Sequence, residues 1–279
     1  MNRTDFTFVI TTYRSSEVIF ECIKDIPSDI KTIIVDNSAN EKLKLEIEKN
    51  FTNIDYYLMP ANYGYGKGNN FGILKTNTDY VFIINPDTKI NNKKFSEIVE
   101  ILKGKNFAIS APQIREQKKI YKQNQSNNEI YEVEQVPGMA MIINKKKFEG
   151  NFFDENFFLY MEEVDLCKRT RDRGEIILEV NVQLDHLGGQ SHGKYDLEME
   201  KSRNWHWMWS KFYYYKKHQN YFQSFLKTFP NFISSVIKFF FYEIIKDKKK
   251  SSQYKMRFFG LLNSYLLRGS YYRPYTNKN

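Results

Sequence analysis

At 279 residues, 41% of them hydrophobic and 27% charged, the chain has enough apolar material for a full core and none of the bias of a disordered or fibrous protein. Its two cysteines, Cys22 and Cys167, exclude a disulfide framework and a cysteine-based metal site, and fit a reducing compartment. The net charge of +9 is unevenly placed: residues 201–279 hold 16 of the 42 Lys and Arg but only 2 of the 33 Asp and Glu, so the acidic body and the basic tail call for different partners.

Phe6–Ile10 is too short for a signal-peptide core, and Phe6–Thr12 reads as a first strand. A helix follows, with Ser15 or Ser16 as its cap and Val18, Ile19, Cys22, Ile23 and Ile26 on one face. Thr32–Val35 is a second strand closed by Asp36. Glu41–Lys49 is a charged helix and Ile54–Leu58 a short strand. A glycine-rich segment, 62–72, leads into the buried strand Tyr80–Ile84, which Asn85-Pro86-Asp87-Thr88 stops. Strands alternating with helices argue for a parallel sheet with right-handed crossovers.

Beyond residue 105 the pattern turns mixed or antiparallel. Short strands are expected at Ala108–Ala111, Lys119–Lys122 and Glu129–Val133, and within Val136–Ile143. A helix over 161–173 and a strand over Ile176–Leu184 follow, and from Leu197 onward the pattern is helical only. The division expected is a sheet domain over 1–196 and a basic, amphipathic helical extension over 197–279.

Several residues in this frame can carry chemistry. Asp87 stands past the carboxyl end of a strand, where open α/β sheets bind ligands, and Mg²⁺ usually takes only one or two protein carboxylates beside substrate oxygens. Asn-Pro-Asp is also ordinary turn punctuation. Asp36 sits at the same edge, placed either to accept a hydrogen bond from a base or ribose or to cap the next helix. Asn62-Tyr63-Gly64-Tyr65-Gly66-Lys67-Gly68-Asn69-Asn70 has neither dinucleotide-fingerprint nor P-loop spacing; its glycines suit a close ligand or a flexible loop that merely starts a helix. Glu162-Glu163-Val164-Asp165 groups three carboxylates after Phe157, Phe158 and Tyr160, where an apolar setting raises a carboxyl pKa toward general-base use. Acids at a helix start, with Arg169 four residues past Asp165, are also ordinary helix chemistry. Asp185-His186-Leu187-Gly188-Gly189-Gln190-Ser191-His192 brings two of the four histidines to a strand end.

Taken in order, these pieces resemble the inverting family 2 glycosyltransferases of the GT-A fold, and among them the rhamnosyltransferase-like branch of bacterial surface polysaccharide synthesis. The resemblance runs through Val9-Ile10-Thr11-Thr12-Tyr13, Val35-Asp36-Asn37-Ser38, Asn62 to Gly72, and Asn85-Pro86-Asp87-Thr88. It continues through Gly138-Met139-Ala140-Met141, Phe157 to Arg169 and His186 to Ser191. It implies a mixed sheet flanked by helices and a nucleotide-diphosphate sugar donor held by Thr11, Tyr13, Asp36, Asn62, Gly64, Asn70 and Asn85. It also implies a divalent cation, Mg²⁺ or Mn²⁺, on Asp87 and His186, with Asn85 replacing the first Asp of a D-x-D-like motif. Glu163 replaces the usual catalytic Asp, with Asp165 as the second candidate base. The implied acceptor is a lipid-linked intermediate or a glycan, as in lipopolysaccharide assembly. A catalytically degenerate nucleotide-sugar-binding partner is the alternative. A sugar nucleotidyltransferase ranks lower, because no Gly-rich, Arg/Lys-bearing loop follows the first strand.

In the tail, Phe229, Phe232, Ile233, Val236, Ile237, Phe240, Phe241, Ile244 and Ile245 form a helical stripe, with Pro230 in the expected first turn. Lys246 and Lys248–Lys250 follow, then Phe258, Leu261, Leu262, Tyr265 and Leu266. Basic residues threaded through apolar stripes argue against nucleic acid and for an interfacial helix on an anionic leaflet. The expected location is cytoplasmic, peripheral on the inner face of the cell membrane.

Overall fold

The computed structural model describes residues 1–114, 129–150, 152–186 and 196–275. The chain divides into two units: Met1–Asp154 with Glu163–Lys194, and Glu155–Glu162 with Tyr195–Asn279.

In the first unit the described strands are β1 (Phe6–Thr12), β2 (Thr32–Asp36), β3 (Ile54–Leu58), β4 (Tyr80–Ile84), β5 (Thr88–Lys89), β6 (Ile109–Ile114), β7 (Ile130–Glu132), β8 (Ala140–Asn144) and β9 (Ile177–His186). They form one sheet in the order β3-β2-β1-β4-β8-β6-β9-β5, with β7 also on β9. β1 pairs in parallel with β2 and with β4, and β2 with β3. β8 runs antiparallel to both β4 and β6, while β9 is parallel to β6. This is the mixed sheet expected. The chain winds outward from β1 to β3, then returns to place β4 on the other side of β1. That reversal opens a crevice at the carboxyl ends of β1 and β4.

The helices are α1 (Ile19–Ile23), α2 (Glu41–Asn50), α3 (Tyr65–Leu74), α4 (Asn92–Leu102) and α5 (Glu162–Asp172). All seven residues of β1 are buried, and alternation sends them to opposite faces. Phe6, Phe8 and Ile10 join Phe82 from β4, Ile19 from α1, Ile47 from α2 and Phe95 from α4. Val9 joins Ile83, Met141, Ile73 from α3 and Leu166 from α5 on the other face. The sheet therefore lies between two helical layers.

Some expectations need correction. Neither Ser15 nor Ser16 caps α1; its N-cap is Val18, and the Ser15 hydroxyl donates instead to the Tyr13 carbonyl. The glycine-rich segment does start a helix, as one of its two readings had it, and most of it lies within that helix. Gly64, at φ +87°, starts α3, and the helix presses so closely on β1 that a Cβ at Gly68 would lie 2.5 Å from Thr11 Cγ2. The expected strand at Lys119–Lys122 lies outside the described residues, as do residues 187–192 of the Asp185–His192 segment.

The second unit consists of α6 (Leu197–His218), α7 (Tyr221–Ile244) and α8 (Lys248–Tyr265), joined by the segment 155–162. Asp196, Asn220 and Asp247 cap the three helices through their side chains. A Cβ at Gly260 of α8 would lie 2.2 Å from the Trp205 carbonyl of α6, so only glycine permits that crossing. Phe157 packs edge-on against Tyr213, Phe158 stacks on His206 with centroids 4.4 Å apart, and Ser210 Oγ donates to the Leu159 carbonyl. Pro230 lies in the interior of α7, not in its first turn. Its ring removes the hydrogen bond to Leu226, and both residues are exposed, so water can satisfy the freed carbonyl. No described helix is long and apolar enough to cross a membrane.

Candidate active site

The carboxyl ends of β1 and β4 carry the first group of candidates. The turn after β4 is fixed on both sides. Asn85 N–H donates to the Met139 carbonyl (2.9 Å), Thr88 N–H to the Asn85 carbonyl (3.0 Å), and Thr88 Oγ1 to the Met139 carbonyl (3.2 Å). Asp87, only 1% exposed, projects from this turn. The next residue, Thr88, pairs in register with His186, so the β5–β9 bridge brings both expected metal positions to one edge. Thr12 Oγ1 and Asn85 Oδ1 are buried there without a hydrogen-bond partner among the described residues. Orphaned polar atoms at a switch point mark where a polar ligand would be received.

Cys22 beneath this turn directs its thiol at the Asn85 carbonyl (3.6 Å). Burial, with Asp87 and Asp25 adding negative charge, raises its pKa far out of the thiolate range, so it is neither nucleophile nor ready ligand. Among the described residues no three His, Cys, Asp or Glu side chains gather into a metal cluster. One buried carboxylate and a histidine position on the same strand edge would suit a divalent ion, which takes few protein carboxylates.

The residues expected around a nucleotide divide into two sets. Tyr13 is half-buried at the end of β1, with the Arg14 guanidinium 6.0 Å from its ring and Arg14 itself left-handed at φ 53°. The others hold the loops. Asp36 accepts from Ser38 N–H (2.8 Å) and the Ser38 hydroxyl through Oδ1, and from Asn40 N–H (2.8 Å) through Oδ2, so it ties the loop ahead of α2, while the cap of that helix is Asn40 and not Asp36. Tyr56 lies beside it, and burial with the Asp36 charge keeps that phenol protonated. Thr11 Oγ1 donates to Asn69 Oδ1 (2.8 Å), and Asn62 Oδ1 accepts from Gly64 N–H (3.0 Å). Asn70 bonds both backbone groups of Phe153, donating to its carbonyl (2.8 Å) and accepting from its N–H (2.9 Å). Asn37, which sequence reasoning missed, donates to the Gly64 carbonyl (3.1 Å) and accepts from Tyr63 N–H (3.2 Å).

Helix α5 carries the candidate bases. Tyr160 and Met161 immediately before it both have φ 70°, a left-handed pair that turns the chain sharply into the helix. Glu163 is half-buried; burial raises its carboxyl pKa, opposed by hydrogen bonds from its own N–H and that of Val164. Asp165 is fully buried, with Arg169 Nε donating to its Oδ2 (2.7 Å) and Arg169 Nη2 donating to the Phe152 carbonyl. Tyr65 at the start of α3 donates its hydroxyl to the Gly138 carbonyl, and its ring meets Phe153 edge-on at 6.2 Å. Neither Tyr65 nor Gly138 was a sequence candidate for the site.

Residues 7–167, more than half of the chain, match the family model for glycosyl transferase family 2. The chain is 27% identical over 191 residues to the low-salt glycan biosynthesis hexosyltransferase Agl10 of Haloferax volcanii, covering 60% of this chain and 62% of that relative. It is 23% identical over 199 residues to rhamnosyltransferase WbbL of Escherichia coli K12, covering 58% and 75%. Among solved structures, the mannosyltransferase PcManGT from Pyrobaculum calidifontis, in complex with GDP-Man and Mn²⁺, has a TM-score of 0.60 at 9% identity, covering 95% of this chain and 88% of that one. GalNAc-T7 with UDP, GalNAc and Mn²⁺ has a TM-score of 0.56 at 10% identity, covering 84% and 58%. These likenesses identify the sheet unit as GT-A-like.

Proposed function

Because this chain belongs to glycosyl transferase family 2, we propose that it moves a hexosyl or deoxyhexosyl group, with inversion, from a nucleotide-diphosphate sugar to a lipid-linked or glycan acceptor in surface polysaccharide synthesis. The single observation that carries the reading is the switch-point edge, where buried Asp87 and the orphaned Thr12 and Asn85 oxygens stand at the carboxyl ends of β1 and β4 and Thr88, next to Asp87, pairs with His186. Tyr13 and the loop organised by Asn37, Asn62 and Gly64 border the donor. Asp87 and His186 would hold a divalent ion, Mg²⁺ or Mn²⁺, which when bound supplies neutralisation of the charge on the departing diphosphate.

The remaining chemistry falls to Glu163. Its raised pKa makes the carboxylate a better proton acceptor than an exposed glutamate. It takes the proton of the acceptor hydroxyl as that oxygen bonds to the anomeric carbon. The bond from that carbon to the nucleoside diphosphate breaks on the opposite face, so no covalent intermediate forms. Asp165, neutralised by Arg169, acts as a positioning residue in this scheme.

The test is nucleoside diphosphate release from a panel of UDP- and GDP-sugars with Mg²⁺ or Mn²⁺. Asp87→Asn should abolish metal-dependent binding of the nucleoside diphosphate in calorimetry. Binding that is equally tight and metal-dependent in the variant would remove Asp87 from the site.

A further inference from the structure

Helix α7 is turned inside out relative to an ordinary surface helix. Its buried residues are Ser224, Thr228 and Ser235. The Thr228 hydroxyl bonds the Ser224 carbonyl (2.8 Å) and the Tyr265 hydroxyl (3.0 Å), and Ser235 donates to the Asn231 carbonyl (2.7 Å). Leu226, Phe229, Ile233, Ile237, Phe240 and Ile244 are all exposed, rising to 62% at Ile237 and 79% at Ile244. At 3.6 residues per turn these six positions fall within roughly 80° of arc, one continuous apolar ribbon facing away from the inward hydroxyls. The single stripe expected from the sequence is therefore two: Phe225 and Phe232 pack inward against the core of this unit, and the ribbon faces out.

The surroundings of the ribbon identify its occupant. Where it ends, at Ile244 and Ile245, the exposed residues Lys246, Lys248, Lys249 and Lys250 begin. The two acids nearby are already engaged: Glu243 accepts from the Ser251 hydroxyl, and Asp247 caps α8. We infer that the outer face of α7, with the Lys246–Lys250 corner, docks on the surface of an anionic lipid leaflet, lying along it without crossing. An apolar ribbon edged by lysines matches acyl chains beneath anionic headgroups. The inference rests on this helical unit alone and stands apart from the sugar chemistry.

The test uses the full chain and sedimentation with vesicles. Vesicles of phosphatidylcholine with phosphatidylglycerol should bind the protein, pure phosphatidylcholine far less, and added NaCl should weaken the binding. Lys248→Gln/Lys249→Gln should lower the partition coefficient about 25-fold, at about fivefold per lysine. Ile233→Asp/Ile237→Asp should lower it by at least about tenfold. All four positions are exposed, so thermal melting should hold in both variants; if the aspartate variant does not fold, the glutamine variant decides. Equal binding to neutral and anionic vesicles would overturn the inference. So would an aspartate variant that keeps its vesicle binding while a native dimer becomes a monomer in light scattering, since the ribbon would then cover a second copy of this chain.

Discussion

Gly138 backs Glu163 directly: a β-carbon added at position 138 would lie 3.2 Å from Glu163 Cβ and 3.5 Å from its Cγ. The Gly138 carbonyl is held in turn by the Tyr65 hydroxyl at the start of α3. The glycine-rich loop and the candidate base are thus mechanically linked. Gly138→Ala should displace Glu163 by a few tenths of an ångström and lower kcat by about tenfold, with donor KM little changed. A steady-state comparison with Tyr65→Phe, which loses the hydrogen bond and adds no volume, separates the two effects. An unaltered kcat in Gly138→Ala would dissociate this contact from catalysis.

Glu163→Gln should lower turnover by about 10²-fold or more while donor binding persists. The stability effect has the opposite sign. Because the folded-state pKa is raised, the folded protein keeps its proton to higher pH than the unfolded chain. Stability is then full below the ordinary glutamate value and falls as pH rises through the raised one. The glutamine variant should therefore melt higher than the parent at about pH 8 and coincide with it at about pH 3. A lower melting temperature at alkaline pH would contradict the burial argument.

Asp165→Asn separates positioning from proton transfer. It leaves Arg169 without its carboxylate while that side chain keeps 23% exposure. The loss should be roughly 2–3 kcal/mol, below the 3–5 kcal/mol of a fully buried pair. Chemical denaturation measures it. The folded variant should retain most of its turnover; an inactive but normally stable protein would make Asp165 the base.

His206 gives the helical unit an acid-sensitive element. Burial, with Arg273 nearby, depresses its pKa from the ordinary 6.5 to about 3, while its Nε2 bonds the Tyr272 carbonyl (2.8 Å) and Nδ1 lies 3.1 Å from Ser270 Oγ. The unfolded chain takes up this proton first, so the contribution of His206 is present above pH 6.5 and is lost as pH falls toward 3. Denaturation midpoints of His206→Gln across that range should show a slope smaller by about one proton, or about 1.4 kcal/mol per pH unit. Parallel slopes would mean that His206 titrates normally.

What the sequence revealed and what it hid follow from the range of the interactions. β1 and the half-buried β3 were legible because β-branched and aromatic residues cluster there, and β4 because a buried strand writes itself in consecutive apolar residues bounded by turn signals. The placement of Asp87 followed from that strand. Asn70 was read as a ligand contact because its partner, Phe153, lies 83 residues away. Asp36 was ambiguous because a cap and a ribose contact ask for the same carboxylate. Helix α4 escaped the reading although Phe95, Ile98, Val99 and Leu102 have helical spacing behind the cap Asn91. The outward ribbon of α7 was merged with its inward side because periodicity reports that a face is apolar, not which way it turns.

The aromatic segment 155–162 has a consequence for recombination. It belongs with the helices that begin some 40 residues later, so the main chain enters the second unit, leaves it and enters again. Neither unit is a single stretch of gene. A chain ended at residue 196 would keep Phe157 and Phe158 but discard Tyr213 and His206, against which they pack. Exchanging the helical unit between relatives would therefore mean moving two segments through three crossovers, the first segment only eight codons long and immediately ahead of the codon for Glu163.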